Sequence, residues 1–185
     1  MEITLTNVRI AFPDLFTAKV NRLAAADSKP KYSASFLVAG DSAQKASVDK
    51  HIQDFIKTEL GDKAAAFIKK FWNDGHDSCC VDGDDKEYDG YAGSWVFKCN
   101  RSEDKGRPNV RDRNGNPLTE TDGVIYAGCV VNAKVDLYIQ NGDYKGIRGT
   151  LLGVQFVRDA PAFGMGTGTG SQFAAIEDDD EESLA

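Results

Sequence analysis

From residue 129 to residue 139 every second position is apolar: Cys129, Val131, Ala133, Val135, Leu137 and Ile139. Successive side chains of a strand point to opposite faces, so this alternation fits a half-buried strand and no amphipathic helix. A slip of one residue would turn the whole set to solvent, which pins the register of whatever pairs with it. Asn141-Gly142 follows, the dipeptide that most favours a tight hairpin turn, and then a strand from about Tyr144 to Val157 containing Gly146, Gly149 and Gly153. Glycines inside a strand mark bends and bulges, which small closed barrels need in order to turn corners.

The same period recurs elsewhere. Tyr32, Ala34, Phe36 and Val38 share one face of a strand over 31–38. Near the N-terminus Ile3 and Leu5 have one parity and Val8, Ile10 and Phe12 the other, which predicts a strand with a bulge around Thr6-Asn7. Residues 93–101 form a further strand, from which Arg107 to Asp112 return, making five or six in all. Helical spacing is confined to 42–72. It opens after Asp41 or Ser42 as N-cap, carries Val48, Ile52, Phe55, Ile56 and Leu60, breaks at Gly61-Asp62, and resumes with Ala64, Phe67, Ile68 and Phe71 inward. A parallel sheet would need strands and helices to alternate, so the order favours an antiparallel barrel or sandwich with one helical insertion.

The 185 residues suffice for one domain with a proper core plus a tail. Gly164 to Ser171 reads Gly-Met-Gly-Thr-Gly-Thr-Gly-Ser, a linker composition, and the acid run after it is too charged to pack. The expected organisation is a domain over 1–161 and a flexible Gly-rich linker with a disordered acidic tail over 162–185. The formal charge of −7 is concentrated in that tail, where Glu177, Asp178, Asp179, Asp180, Glu181 and Glu182 lie. Without those six the chain has 23 acids (29 − 6) against 22 bases, so its body can carry a local basic face. The first residues have neither a basic nor an apolar leader region, and no stretch is long enough to span a bilayer, so a cytoplasmic protein is expected.

Three sets of residues suggest a place for chemistry. On the 129–139 strand the outward parity gives Asn132, Lys134, Asp136 and Tyr138, which suits either a solvated face or a platform for stacking bases. From Tyr88 to Arg113 aromatic residues (Tyr88, Tyr91, Trp95, Phe97) interleave with bases. Six bases stand against three acids in its 98–113 half. A groove that tracks phosphates while stacking bases requires this mixture. The expected contacts are Tyr91, Trp95, Lys98, Arg101, Arg107 and Arg111, while Phe97 belongs to the core. Lys31, in a loop-to-strand patch with Lys19, Arg22 and Lys29, and Tyr144 and Lys145, beside the Asn-Gly turn, complete the set with Lys134 and Tyr138.

Enzymatic motifs are weak. The phosphate-cradling loop pattern with its lysine is absent, and His51 and His76 have no nucleophile placed beside them. The carboxylates of Asp82-Gly83-Asp84-Asp85-Lys86-Glu87 leave open a metal-dependent nuclease or recombination enzyme, without the spacing of a calcium loop. A zinc site from His76, Cys79, Cys80 and Cys99 fits no standard ligand spacing, so reduced, buried thiols are the simpler reading. No cofactor or metal is expected.

Four stretches, in order, carry a resemblance. They are Asn7-Val8-Arg9-Ile10-Ala11-Phe12-Pro13-Asp14-Leu15-Phe16, the strand Lys31 to Val38, the block Tyr126 to Ala133, and Gly146 to Asp159. Together they resemble phage single-stranded DNA-binding proteins of the OB-fold class, in a family long known only as a domain of unknown function. The resemblance covers about residues 3–160. It implies a five-stranded antiparallel OB-type barrel and single-strand binding without marked sequence preference during replication and recombination, in a bacterial host's cytoplasm if phage-encoded. Six acids on a flexible tether form a polyanion expected to compete for a basic groove and, when displaced by DNA, to recruit replication or recombination proteins, the alternative being a solubility tail. The tail resembles those of phage and bacterial single-strand binders. Those tails often end in Phe, whereas this one ends in Leu184-Ala185.

Overall fold

The computed structural model describes residues 1–20, 28–73, 78–141 and 145–164. Its strands are β1 (Glu2–Lys19), β2 (Lys31–Ala39), β3 (Cys80–Asp82), β4 (Ser94–Ser102), β5 (Asn109–Arg111), β6 (Val130–Gln140) and β7 (Gly146–Arg158). Two helices, α1 (Ala43–Leu60) and α2 (Ala64–Asn73), fall between β2 and β3. β1 pairs antiparallel with β2 and β6, β2 with β4, and β6 with β7. The ring closes where β4 meets β7 in a short parallel contact, Cys99 opposite Gly149 and Asn100 opposite Thr150. The five strands β1, β2, β4, β7 and β6 thus make a closed barrel, with β3 added beside β4 and β5 beside β7. β5 does not return along β4 as its position in the chain suggested. It runs parallel to β7 instead.

The alternation read from the chain is the barrel's inside. Ala34, Phe36 and Val38 of β2, Phe97 and Cys99 of β4, and Val131, Ala133, Val135 and Leu137 of β6 are all buried in one core. The bulge expected at Thr6-Asn7 is present: Asn7 has φ +53° and the β1–β6 register jumps between Leu5 and Val8. Gly149 is needed because a Cβ there would lie 3.0 Å from both Cys99 Sγ and a methyl of Val135, across a barrel too narrow for another side chain. Helix α1 starts at Ser42, whose Oγ accepts the Lys45 N–H at 3.1 Å, and ends at Gly61 with φ +51°. Val48, Ile52 and Ile56 of α1 and Phe71 of α2 join the barrel core.

After β7 the described chain continues to Gly164 and packs back on the barrel. Phe163 donates its N–H to Ala127 O at 2.9 Å, and its ring packs against a second apolar cluster on the barrel's outside, made of Ala11, Leu37, Tyr91 and Val96. Arg9 lies over that ring at 4.4 Å and donates to Pro161 O at 2.5 Å.

Candidate nucleic-acid interface

Across the outer faces of β2 and β4 runs a groove of about 710 Å³. Its floor follows from the register. Ser33 stands opposite Asn100 and Ser35 opposite Lys98, so short polar side chains line a channel between taller neighbours. Lys19, Lys29, Lys31, Lys86 and Lys98 surround it, with Asp14 the one carboxylate among the described residues of its lining, held by Lys19 at 2.5 Å. Lys98 loses some of its proton affinity, first through desolvation, with Lys86 and Arg148 adding repulsion. A phosphate arriving there would relieve that repulsion.

One wall is aromatic. Phe12 stands edge-on to Tyr88 at 5.2 Å and to Tyr91 at 6.5 Å, and the two tyrosines are 5.2 Å apart, also edge-on. Phe12 is 53 % exposed and Tyr88 55 %. Parity assigned Phe12 to the core with Val8 and Ile10, but the chain takes φ +49° at Phe12 and the β1–β2 register shifts between Ala11 and Asp14, which swings the ring outward. A bulky residue in the left-handed region is strained, and such strain persists where the surrounding structure enforces it, often at binding sites. The large hydrophobic side chains exposed among the described residues are Phe12, Val20, Tyr88 and Tyr138. Three of them line this groove.

The expected site residues divide among several places. Lys31, Lys98 and Tyr91 come together in the groove. Tyr91, however, is only 4 % exposed, packed under Phe12 and Tyr88, and burial pushes its hydroxyl pKa up. It supports the wall, and Tyr88 presents the accessible face. Tyr138 lies round the barrel, opposite Arg148 on β7, which is itself beside Lys98 through the β4–β7 contact, so the outer row runs Lys98, Arg148, Tyr138. Lys145 is exposed at the start of β7, and Tyr144 lies outside the described residues.

Other residues sit apart from the groove. Trp95 has the core-side parity of Phe97, which turns it away from the groove, and Lys45 of α1 covers its ring at 4.1 Å. Arg101 donates to Lys105 O at 2.7 Å and to Gly106 O at 2.8 Å, clasping its own turn, and Arg107 rests over Phe16 at 5.5 Å. Arg111 donates to Gly115 O at 2.6 Å and, with Lys134, lines a different hollow. The acids Glu177 to Glu182 and His76 lie outside the described residues. Sequence reasoning missed Phe12, Lys86 and Arg148. The hint for Phe12 was Pro13 after it, since proline cannot continue a ladder and often accompanies a bulge.

The carboxylates of the 82–87 loop do not converge. Asp82 Oδ1 accepts the Asp84 N–H at 3.0 Å and Asp84 Oδ1 the Gly93 N–H at 2.7 Å, both shaping the turn. Among the described residues no group of three or more His, Cys, Asp and Glu is placed to hold a metal ion. Burial drives the thiols of Cys80 and Cys99 well above the ordinary cysteine pKa, so both are protonated at neutral pH.

Residues 1–184 match the model of the single-stranded DNA-binding protein family typified by that of Enterobacter phage Enc34. The chain belongs to this Enc34 family. Among its relatives, protein p50 of Acyrthosiphon pisum secondary endosymbiont phage 1 is 39 % identical over 190 residues, spanning all of this chain and 96 % of p50. The Enc34 single-stranded DNA-binding protein, solved in complex with single-stranded DNA, superposes with a TM-score of 0.70 at 26 % identity, covering 88 % of this chain and 89 % of that one. Bacteriophage T7 gp2.5, a single-stranded DNA-binding protein at 16 % identity and a TM-score of 0.53, covers 86 % of this chain and 93 % of its own and shares the fold. The fold expected from the four resembling stretches is the one observed. No helix among the described residues is long and apolar enough to cross a membrane.

Proposed function

We propose that this chain binds single-stranded DNA in the β2–β4 groove without marked sequence preference, neutralising phosphates with its lysines and stacking bases on Phe12 and Tyr88. The observation that carries the reading is the clustering of exposed aromatic rings and lysines along one channel. Exposed apolar surface costs free energy in water and is kept where a ligand covers it. Every base offers a π-face, so rings of this kind hold a strand whatever its sequence. The Enc34 relative, whose solved complex holds single-stranded DNA, supports the same conclusion.

The rest of the reading follows from this binding. A protein that coats single strands acts where strands are parted, in phage replication and recombination within the host cytoplasm. We read the chain as a binder and not an enzyme, a reading supported by two of the loop acids, Asp82 and Asp84, each accepting a backbone N–H of its own turn. Six acids tethered to the body compete for the lysines of the groove at high local concentration, and DNA that displaces them frees the tail to recruit replication or recombination proteins.

The test is affinity for oligo(dT) at two salt concentrations, for the full chain and for a truncation after Gly164, which retains the Phe163 anchor. If four lysines meet phosphates, log K falls against log salt with a slope of roughly −3, at about 0.7 per phosphate for single strands. The truncation binds more tightly than the full chain, most of all at low salt. Absence of binding by both forms sinks the reading, and magnesium-dependent degradation of the oligonucleotide would favour the nuclease instead.

A further inference from the structure

A second hollow, of about 370 Å³, lies round the barrel from the groove, on the outer face of β6, β7 and β5. Its shape follows from two rows of paired residues. In one row Lys134 of β6 stands opposite Gly153 of β7, which stands opposite Asn109 of β5. In the next, Asn132 faces Gln155, which faces Arg111. Five of these six positions carry polar or cationic side chains, and the sixth carries none. The hollow is the gap above Gly153, and the close approach of β5 keeps it open: a Cβ on Gly153 would lie 2.9 Å from Asn109 O.

The chemistry of the rim is specific in kind. Asn132 Nδ2 donates to Gln155 Oε1 at 3.3 Å, and Asn132 Oδ1 accepts the N–H of Asn7 in the β1 bulge at 3.0 Å, so two of the carboxamides are held in place. Arg111 and Lys134 supply positive charge at opposite corners, and among the described residues no carboxylate lines the hollow. The nearest acid contact is Glu2, 3.7 Å from Lys134 Nζ, an exposed and loose pair that an incoming anion can displace. A flat group that offers donors and acceptors at its edge and carries a negative charge fits this arrangement. A nucleotide has all three properties.

Position identifies which nucleotide. Tyr138 ends the outer row from Lys98 through Arg148, and Lys134 is four residues back along the same strand, about 13 Å at 3.3 Å per residue. Stacked single-strand nucleotides advance about 3.4 Å each, so the gap is bridged by four of them or by fewer extended ones.

We propose that the hollow above Gly153 seats a nucleotide of the same strand after it leaves the β2–β4 groove across Arg148 and Tyr138. The base lies over the bare backbone of Gly153, and Lys134 and Arg111 meet the flanking phosphates. This rests on the single-strand reading above and extends it from one groove to a path around the barrel. The hollow then sets the length of DNA occluded, while the aromatic groove holds short pieces alone.

The experiment compares a five-nucleotide and a twenty-nucleotide oligo(dT) on the full chain and on the double variant Lys134→Ala, Asn109→Ala, both surface positions. The double variant keeps its affinity for the short oligonucleotide within about twofold and loses about fivefold or more on the long one, roughly 1 kcal/mol. Its salt slope on the long one shrinks by about 0.7, one phosphate contact. In parallel, iodouracil-substituted 20-mers are photocrosslinked to the unaltered chain and the adducts located by mass spectrometry. Adducts on the segments holding Asn132–Lys134 or Asn109–Arg111 support the proposal. Equal loss on both lengths, no loss on either, or groove adducts without any on those segments overturns it. If the unaltered chain binds neither oligonucleotide, the single-strand reading itself has failed, a result distinct from short-piece binding with an indifferent variant.

Discussion

Phe12 offers a substitution whose effects on folding and on binding run in different directions. Its backbone is at φ +49°, where a side chain costs roughly 1–2 kcal/mol that glycine does not. Phe12→Gly recovers that strain and gives back about 0.5–1 kcal/mol as extra freedom of the unfolded chain. The ring is 53 % exposed, so its lost contact with Tyr88 and Tyr91 amounts to about 1 kcal/mol. These contributions nearly cancel, and Phe12→Gly should melt within about 4 °C of the unaltered chain, given 2–4 °C per kcal/mol at this size. Phe12→Ala loses the ring and keeps the strain, and should melt below Phe12→Gly. Binding responds otherwise: one stacked base is worth about 1–3 kcal/mol, so both variants weaken oligo(dT) binding by about 5- to 150-fold. Thermal denaturation and fluorescence anisotropy read the two effects separately. A Phe12→Gly chain that binds as tightly as the original refutes the stacking role, and one that melts more than 10 °C lower refutes the strain argument.

Further expectations follow from the same geometry. Tyr91→Ala removes a buried ring and should lower Tm by on the order of 10 °C, for a cost of about 3–5 kcal/mol. Tyr88→Ala should leave Tm nearly unchanged and weaken binding, and the opposite order of effects would reverse their assignments. Gly90→Ala places a methyl 2.1 Å from the Phe163 ring at φ +77°, so it should unseat residues 160–164 and expose them to proteolysis. An unchanged cleavage rate there would show that the seat is not needed. Because burial raises the pKa of the Cys80, Cys99 and Cys129 thiols, little thiolate forms at neutral pH, and iodoacetamide should label them slowly until the pH climbs or the chain is unfolded. Rapid native labelling of Cys99 or Cys129 at pH 7 would contradict their burial.

Much of the fold was legible in the chain because strands and helices reveal themselves by period. The alternation of β2 and β6, the bulge at Asn7, the cap at Ser42 and the break at Gly61 are local patterns, and each appears where it was read. The site was less legible. Lys31 and Lys98 line the groove, but parity places a residue on a face without saying what else covers that face. Trp95 reads as available, yet Lys45 of a helix fifty residues earlier caps it. Arg101 reads as a groove cation, yet it is turned back to carbonyls of its own loop, and Arg111, with one N–H given to Gly115 O, lies at the other hollow and not in the groove.

The sequence alone determined the barrel's interior, because a half-buried strand must alternate and an error in register would expose every apolar residue at once. It also set the charge division between a nearly neutral body and an acid run at 177–182. Tertiary structure decided which outward residues share a surface. Lys98, Arg148 and Tyr138 are neighbours only because β4 closes on β7, and Phe12 joins Tyr88 only because the backbone takes φ +49° where the β1–β2 register shifts.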